Sequence, residues 1–93
     1  MKIQEMFDQV ATHLMKQGRK SLRNGSTTEC AYLAENGDKC AAGCLIPPDK
    51  YNLAFEGEGV RYVPFFRELA EQSEDPRRFL NLLAALQMTH DHQ

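Results

Sequence analysis

The sequence predicts an α+β domain: an N-terminal helix, a central two-stranded β-hairpin, and a C-terminal helical pair packed on it. Three observations predict this. Apolar residues recur at helical period over 3–17, an Asn36-Gly37 pair sits mid-chain, and Asp75-Pro76 opens a second apolar stripe. The 93 residues suit one domain with one modest core. Apolar content of 42% and charged content of 26% are ordinary for a globular chain.

The first helix rests on Ile3, Met6, Phe7, Val10, Ala11, Leu14 and Met15, spaced i, i+3, i+4, i+7, i+8, i+11, i+12. Gly18 supplies its stop. His13 falls at the edge of the apolar face and reads as a boundary histidine. Lys16, Arg19, Lys20 and Arg23 follow. A second short helical turn would put them on one side, as a basic ridge anchored by Leu22. Such a ridge is most simply a solvated face; its functional reading is contact with an anion or an acidic partner. These four residues are the candidate binding site. Residues 24–28 read as a loop.

Residues 29–40 read as the hairpin, because Asn-Gly suits the two positive-φ positions of a type I′ turn. In that register Ala34 faces Lys39, Leu33 faces Cys40 and Tyr32 faces Ala41. Cys30 and Cys40 then lie on opposite faces. The small, apolar run 41–46 lets another backbone approach closely, and Pro47-Pro48 ends it. Residues 49–52 fit a turn of helix, and 56–59 a flexible acidic loop. Pro64 at a first helical turn leads a helix to about residue 72, and Asp75 caps the next, with Pro76 first. Phe79, Leu82, Leu83 and Leu86 form its stripe. The expected core is Phe7, Val10, Leu14, Leu33, Leu45, Phe79, Leu83 and Leu86.

Three cysteines are an odd number, which suits reduced thiols in a cytosolic setting. A zinc site would draw on Cys40, Cys44, His90 and His92, but the spacing lacks two close ligand pairs. Cysteine catalysis would need Cys30, His90 and Asp91 to converge, and nothing in the spacing demands it. His90 in the last helical turn more simply satisfies free carbonyls. No phosphate-cradling glycine motif is present, and aromatics do not interleave with the basic residues. With a net charge of −2, nucleic acid is not an expected partner. Lys/Arg and Asp/Glu number seven and six over 1–50, but four and seven over 51–93. No apolar run is long enough to span a membrane, and the N-terminus reads as amphipathic, not as a signal peptide.

Several stretches together carry a resemblance: His13-Leu14 with Gln17-Gly18, Cys30 with Tyr32, and a Gly-x-Lys-Cys-Ala-x-Gly-x-Leu-Ile-Pro run from Gly37 to Pro47. Tyr51, Glu56-Gly57, Leu86-Gln87 and His90-Asp91 complete it. Across nearly the whole chain this resembles a group of small proteins encoded by tailed bacteriophages and prophages. Pro47-Pro48-Asp49 departs from the group's single proline and acidic pair, and Cys44 stands where alanine is common. The resemblance carries no catalytic residue. It implies a non-enzymatic accessory protein of the host bacterial cytoplasm that binds and modulates a host protein, such as a counter-defence inhibitor. The alternative is a binder of a small anionic ligand such as a nucleotide signal. No cofactor or metal is expected, and a homodimer is compatible with either reading.

Overall fold

The structure is a computed structural model that describes residues 1–23 and 30–91, with residues 90 and 91 described by backbone alone. Among these residues there are three α-helices: α1 (Ile3–Gln17), α2 (Pro64–Glu71) and α3 (Pro76–Asp91). Between α1 and α2 the described residues make four single 3₁₀ turns, Gly43–Leu45, Pro48–Lys50, Leu53–Phe55 and Val60–Tyr62.

The helices begin and end where the local chemistry dictates. Glu5 Oε1 accepts the Lys2 N–H at 2.8 Å, so the first orphan donor of α1 is satisfied. Gly18 closes α1 in the left-handed region, its N–H on the Leu14 carbonyl. Pro64 occupies the first turn of α2. Asp75 Oδ1 accepts the Arg78 N–H at 3.2 Å and caps α3. Glu74, between α2 and α3, accepts the Ile3 N–H at 2.8 Å and ties the start of α1 to that connection. This bond holds the Glu74 carboxyl below its ordinary value.

The core collects Met6 and Val10 from α1, Phe66 and Ala70 from α2, and Phe79 and Leu83 from α3. Tyr32, Cys40, Ala41, Ala42, Leu45 and Ile46 fill its middle from the central segment. Tyr32 and Phe66 meet as a tilted ring pair at 5.6 Å. Of the expected core, Val10, Leu45, Phe79 and Leu83 are buried. Leu14 and Leu86 are partly covered by it, Leu33 is half-buried, and Phe7 remains 40% exposed.

The expected α+β class is overturned. Among the described residues there is no strand and no sheet; the one ladder contact is an isolated antiparallel bridge between Leu22 and Cys30. The Asn-Gly turn does form, but as a different type. Gly37 has φ +92°, whereas among the described residues no non-glycine residue has positive φ. Type I′ would require it at Asn36 as well. Instead Gly37 N–H bonds the Ala34 carbonyl at 2.9 Å and Ala34 N–H bonds the Asp38 carbonyl at 2.8 Å. This is the three-residue loop with a bulged glycine. Ala34 therefore opposes Asp38, one residue off the expected register.

The Ala31 N–H bonds the Ser21 carbonyl at 3.0 Å, and side chains take several of the other backbone donors. Glu56 Oε1 and Oε2 accept the N–H groups of Tyr32 and Leu33 at 2.9 and 3.1 Å. Gln17 accepts that of Lys39 at 2.9 Å, and Gln87 that of Ala42 at 2.9 Å. The 56–59 stretch is thus an anchor rather than the expected flexible loop, since the Tyr32 hydroxyl also donates to the Glu58 carbonyl. Tyr51 donates to Glu56 Oε2 at 2.6 Å. Burial and that carboxylate push the Tyr51 hydroxyl up to about 12. The expected helical turn at 49–52 is displaced to the 3₁₀ turn Pro48–Lys50. The loop expected at 24–28 lies outside the described residues.

Gly43 is where the central segment crosses itself. A Cβ there would stand 2.0 Å from the Tyr32 carbonyl oxygen, which is backbone and has no rotamer to move away. Gly43→Ala is therefore expected to cost on the order of 1–3 kcal/mol or more, the range for overpacking a filled interior. Urea denaturation measures it; an unchanged midpoint would refute the close approach.

Candidate functional site

The polar side of α1 forms one wall of a surface groove. Asp8, Gln9, Thr12, His13 and Lys16 line it at helical spacing, and Gly37, Lys39 and Cys44 line it from the central segment. The groove has a volume of about 670 Å³ and lies broadly open. His13 and Gln17 hold the two walls together. Both reach the Lys39 carbonyl, His13 Nε2 at 2.8 Å and Gln17 Nε2 at 2.9 Å. A carbonyl only accepts, so the imidazole carries its proton on Nε2. Gln9 Nε2 adds a long contact of 3.5 Å to the Cys44 carbonyl.

The groove is positively charged on balance. Lys16 and Lys39 contribute two ammonium groups, and among the described residues neither forms an ion pair. Asp8 is the acidic residue of the lining, and it accepts from Gln4 at 2.9 Å. Cys44 brings no nucleophile. Its Sγ–H donates to the Ala41 carbonyl at 3.1 Å, and burial, with Cys40 nearby, pushes the thiol up to about 12. Cys30 accepts from Gln87 Nε2 at 2.9 Å, and Cys40 accepts the Gly43 N–H at 3.3 Å; all three cysteines are free thiols. Among the described residues no three His, Cys, Asp or Glu side chains converge as metal ligands. The roles expected of the His90, Asp91 and His92 side chains lie outside the described residues.

The four basic residues picked from the sequence do not share a side, because α1 ends at Gln17 and no second helical turn follows. Lys16 lines the groove. Arg19 turns to Asp38: its Nε and Nη2 donate to the two carboxylate oxygens at 2.7 and 2.8 Å. Lys20 is half-buried. Arg23 lies elsewhere, bordering one cavity with Cys30 and Tyr32 and another with Tyr51 and Glu56. The sequence alone does not mark Thr12, His13 and Lys39 as site residues. A signal for His13 existed: it falls with Gln17, one turn on, on the same face as Met6 and Val10. Polar groups on a core face need a backbone partner.

Asp38 is the fixed point behind the groove. Its carboxylate is 8% exposed and also accepts from Asn36 Nδ2 at 3.1 Å. Its N–H donates to Asn36 Oδ1 at 3.0 Å. The Ser21 hydroxyl, fully buried, lies 3.0 Å from the Asp38 carbonyl and 2.8 Å from that of Ala31. The Arg19 fork holds the Asp38 carboxyl below its ordinary 3.8, against the opposing effect of burial.

No family model, curated protein or solved structure matches this chain.

Neutralising Arg19 together with Arg23 should lower the melting temperature, because loss of the Arg19 fork leaves the buried Asp38 carboxylate without its ion pair. The sign with pH follows from the lowered Asp38 value. The contribution is complete above the unfolded value of 3.8 and is lost as pH falls through the lower folded value. Arg19→Ala should therefore melt lower than wild type at pH 7, with the gap narrowing in acid. A gap independent of pH would place the effect outside this pair.

Proposed function

We propose that the protein is a non-enzymatic accessory protein that binds and modulates a host protein in the bacterial cytoplasm, with α1 as its docking element. One observation carries this reading. Phe7 and Met15 are 40% and 84% exposed, and with Ala11 they form a strip at i, i+4, i+8 along the outer side of α1. The next strip round the helix, Asp8, Thr12 and Lys16, lines the charged groove. An apolar strip beside a charged border is the anatomy of a protein interface. The resemblance to tailed-phage proteins supports a host protein as partner, and counter-defence as the setting. That no helix among the described residues is long and apolar enough to cross a membrane agrees with this placement.

Met15→Glu tests the reading without disturbing the core, since substitutions at exposed sites generally stay within ±0.5 kcal/mol. In pull-downs from bacterial lysate, wild-type bait should enrich a host protein that the Met15→Glu bait binds about tenfold more weakly, a loss of ~1.4 kcal/mol. Equal enrichment by both would move the interface off α1. Wild type with no host partner but with a concentration-dependent mass would make the strip a contact between copies.

A further inference from the structure

We propose that the groove between α1 and the 34–39 turn receives an acidic peptide segment of the partner, with Lys16 and Lys39 each pairing a carboxylate. This rests on the docking reading above and names the chemistry of the segment that is docked.

Charge is the first argument. Lys16 and Lys39 stand on the two walls, and among the described residues neither has an acidic partner. Arg19, the neighbouring cation, is already neutralised by Asp38. The charges facing the groove are therefore two lysines against Asp8.

Backbone geometry is the second argument, and it separates a peptide from a phosphate. Phosphate sites gather converging backbone N–H groups, commonly at a helix N-terminus or a nest. Here the middle and last turns of α1 border the groove, from Asp8 to Lys16, and the free N–H groups of its first turn do not. The Gly37 and Lys39 amides are committed, to the Ala34 carbonyl and to Gln17. Two separate ammonium groups remain. They suit carboxylates spaced along a chain, because lysine acts as a point charge and not as a fork.

Shape and rigidity are the third. The groove is open and about 670 Å³, suited to a segment lying along it rather than to a small ligand needing enclosure. Lys39 projects from a backbone clamped at both its N–H and its carbonyl by Gln17, with His13 on the same carbonyl. Its charge is thus presented from a fixed root, which lowers the ordering cost of binding.

The test is an amide NMR titration of the whole protein with a capped hexaglutamate peptide, and in parallel with hexaglutamine and with inorganic phosphate. Saturable shifts are expected at Thr12, His13, Lys16 and Lys39 with hexaglutamate alone. They should vanish as the Debye length falls from ~30 Å at about 10 mM salt to ~3 Å at about 1 M. Lys16→Glu with Lys39→Glu should weaken binding at least tenfold, whereas Lys50→Glu, at an exposed lysine on another turn, should not. The wild-type salt series decides the matter should the double variant fold poorly. Shifts spread over all lysines, or shifts reproduced by phosphate or hexaglutamine, would overturn the proposal. So would silence in the groove while Met15→Glu still abolishes partner capture, an outcome that leaves the docking reading standing.

Discussion

Few backbone amides of the central segment are met by a neighbouring strand, and side chains from the rest of the molecule bond four of the others. Glu56 takes Tyr32 and Leu33, Gln17 takes Lys39, and Gln87 takes Ala42. A buried N–H without an acceptor costs free energy comparable to a lost hydrogen bond, so a segment this deep must be satisfied somewhere. Cys40, Ala41 and Ala42 are fully buried, and Ala31, Tyr32 and Ala34 nearly so. Each of the three long-range acceptors comes from a different part of the chain: the end of α1, the 3₁₀ region, and α3. Pairing them fixes where those parts lie. The core then closes around Tyr32, Phe66, Phe79 and Leu83.

This arrangement explains what the sequence discloses and what it conceals. The three helices are legible because their signals are local. The period of Met6 and Val10, the stop at Gly18, and Asp75-Pro76 need no distant partner. The hairpin expectation fails because Asn36-Gly37 specifies a reversal but not its register. One bulged residue moved the Ala34 partner from Lys39 to Asp38. Beyond that pair, Glu56 and Gln17 compete for the donors a second strand would have used. Nothing near Glu56 in sequence marks it as an acceptor for residues 23 and 24 positions away. Gly43 was legible in part: the small-residue run foretold a close approach, though not that the Tyr32 carbonyl makes it.

The candidate site shows the same division. Lys16 was readable as an exposed charge at the end of a helix. The ridge drawn through Arg19, Lys20 and Arg23 required helix beyond Gly18, and the left-handed turn there ends it. Released from helix, Arg19 reaches Asp38 and becomes part of the scaffold. The same turn brings Lys39 opposite α1, so the contacts that hold the central segment also build the groove. His13 and Gln17 join fold to site most directly, since both bond Lys39 while His13 also lines the groove.

Native-state amide hydrogen exchange tests this account at its centre. The N–H groups of Tyr32, Leu33, Lys39 and Ala42 should be protected to nearly the same degree as those of Phe66 and Leu83 in the helices, because opening them requires breaking the core. Exchange at the rate of exposed loop amides would contradict the account, and would mean that the side-chain acceptors do not hold the central segment in place.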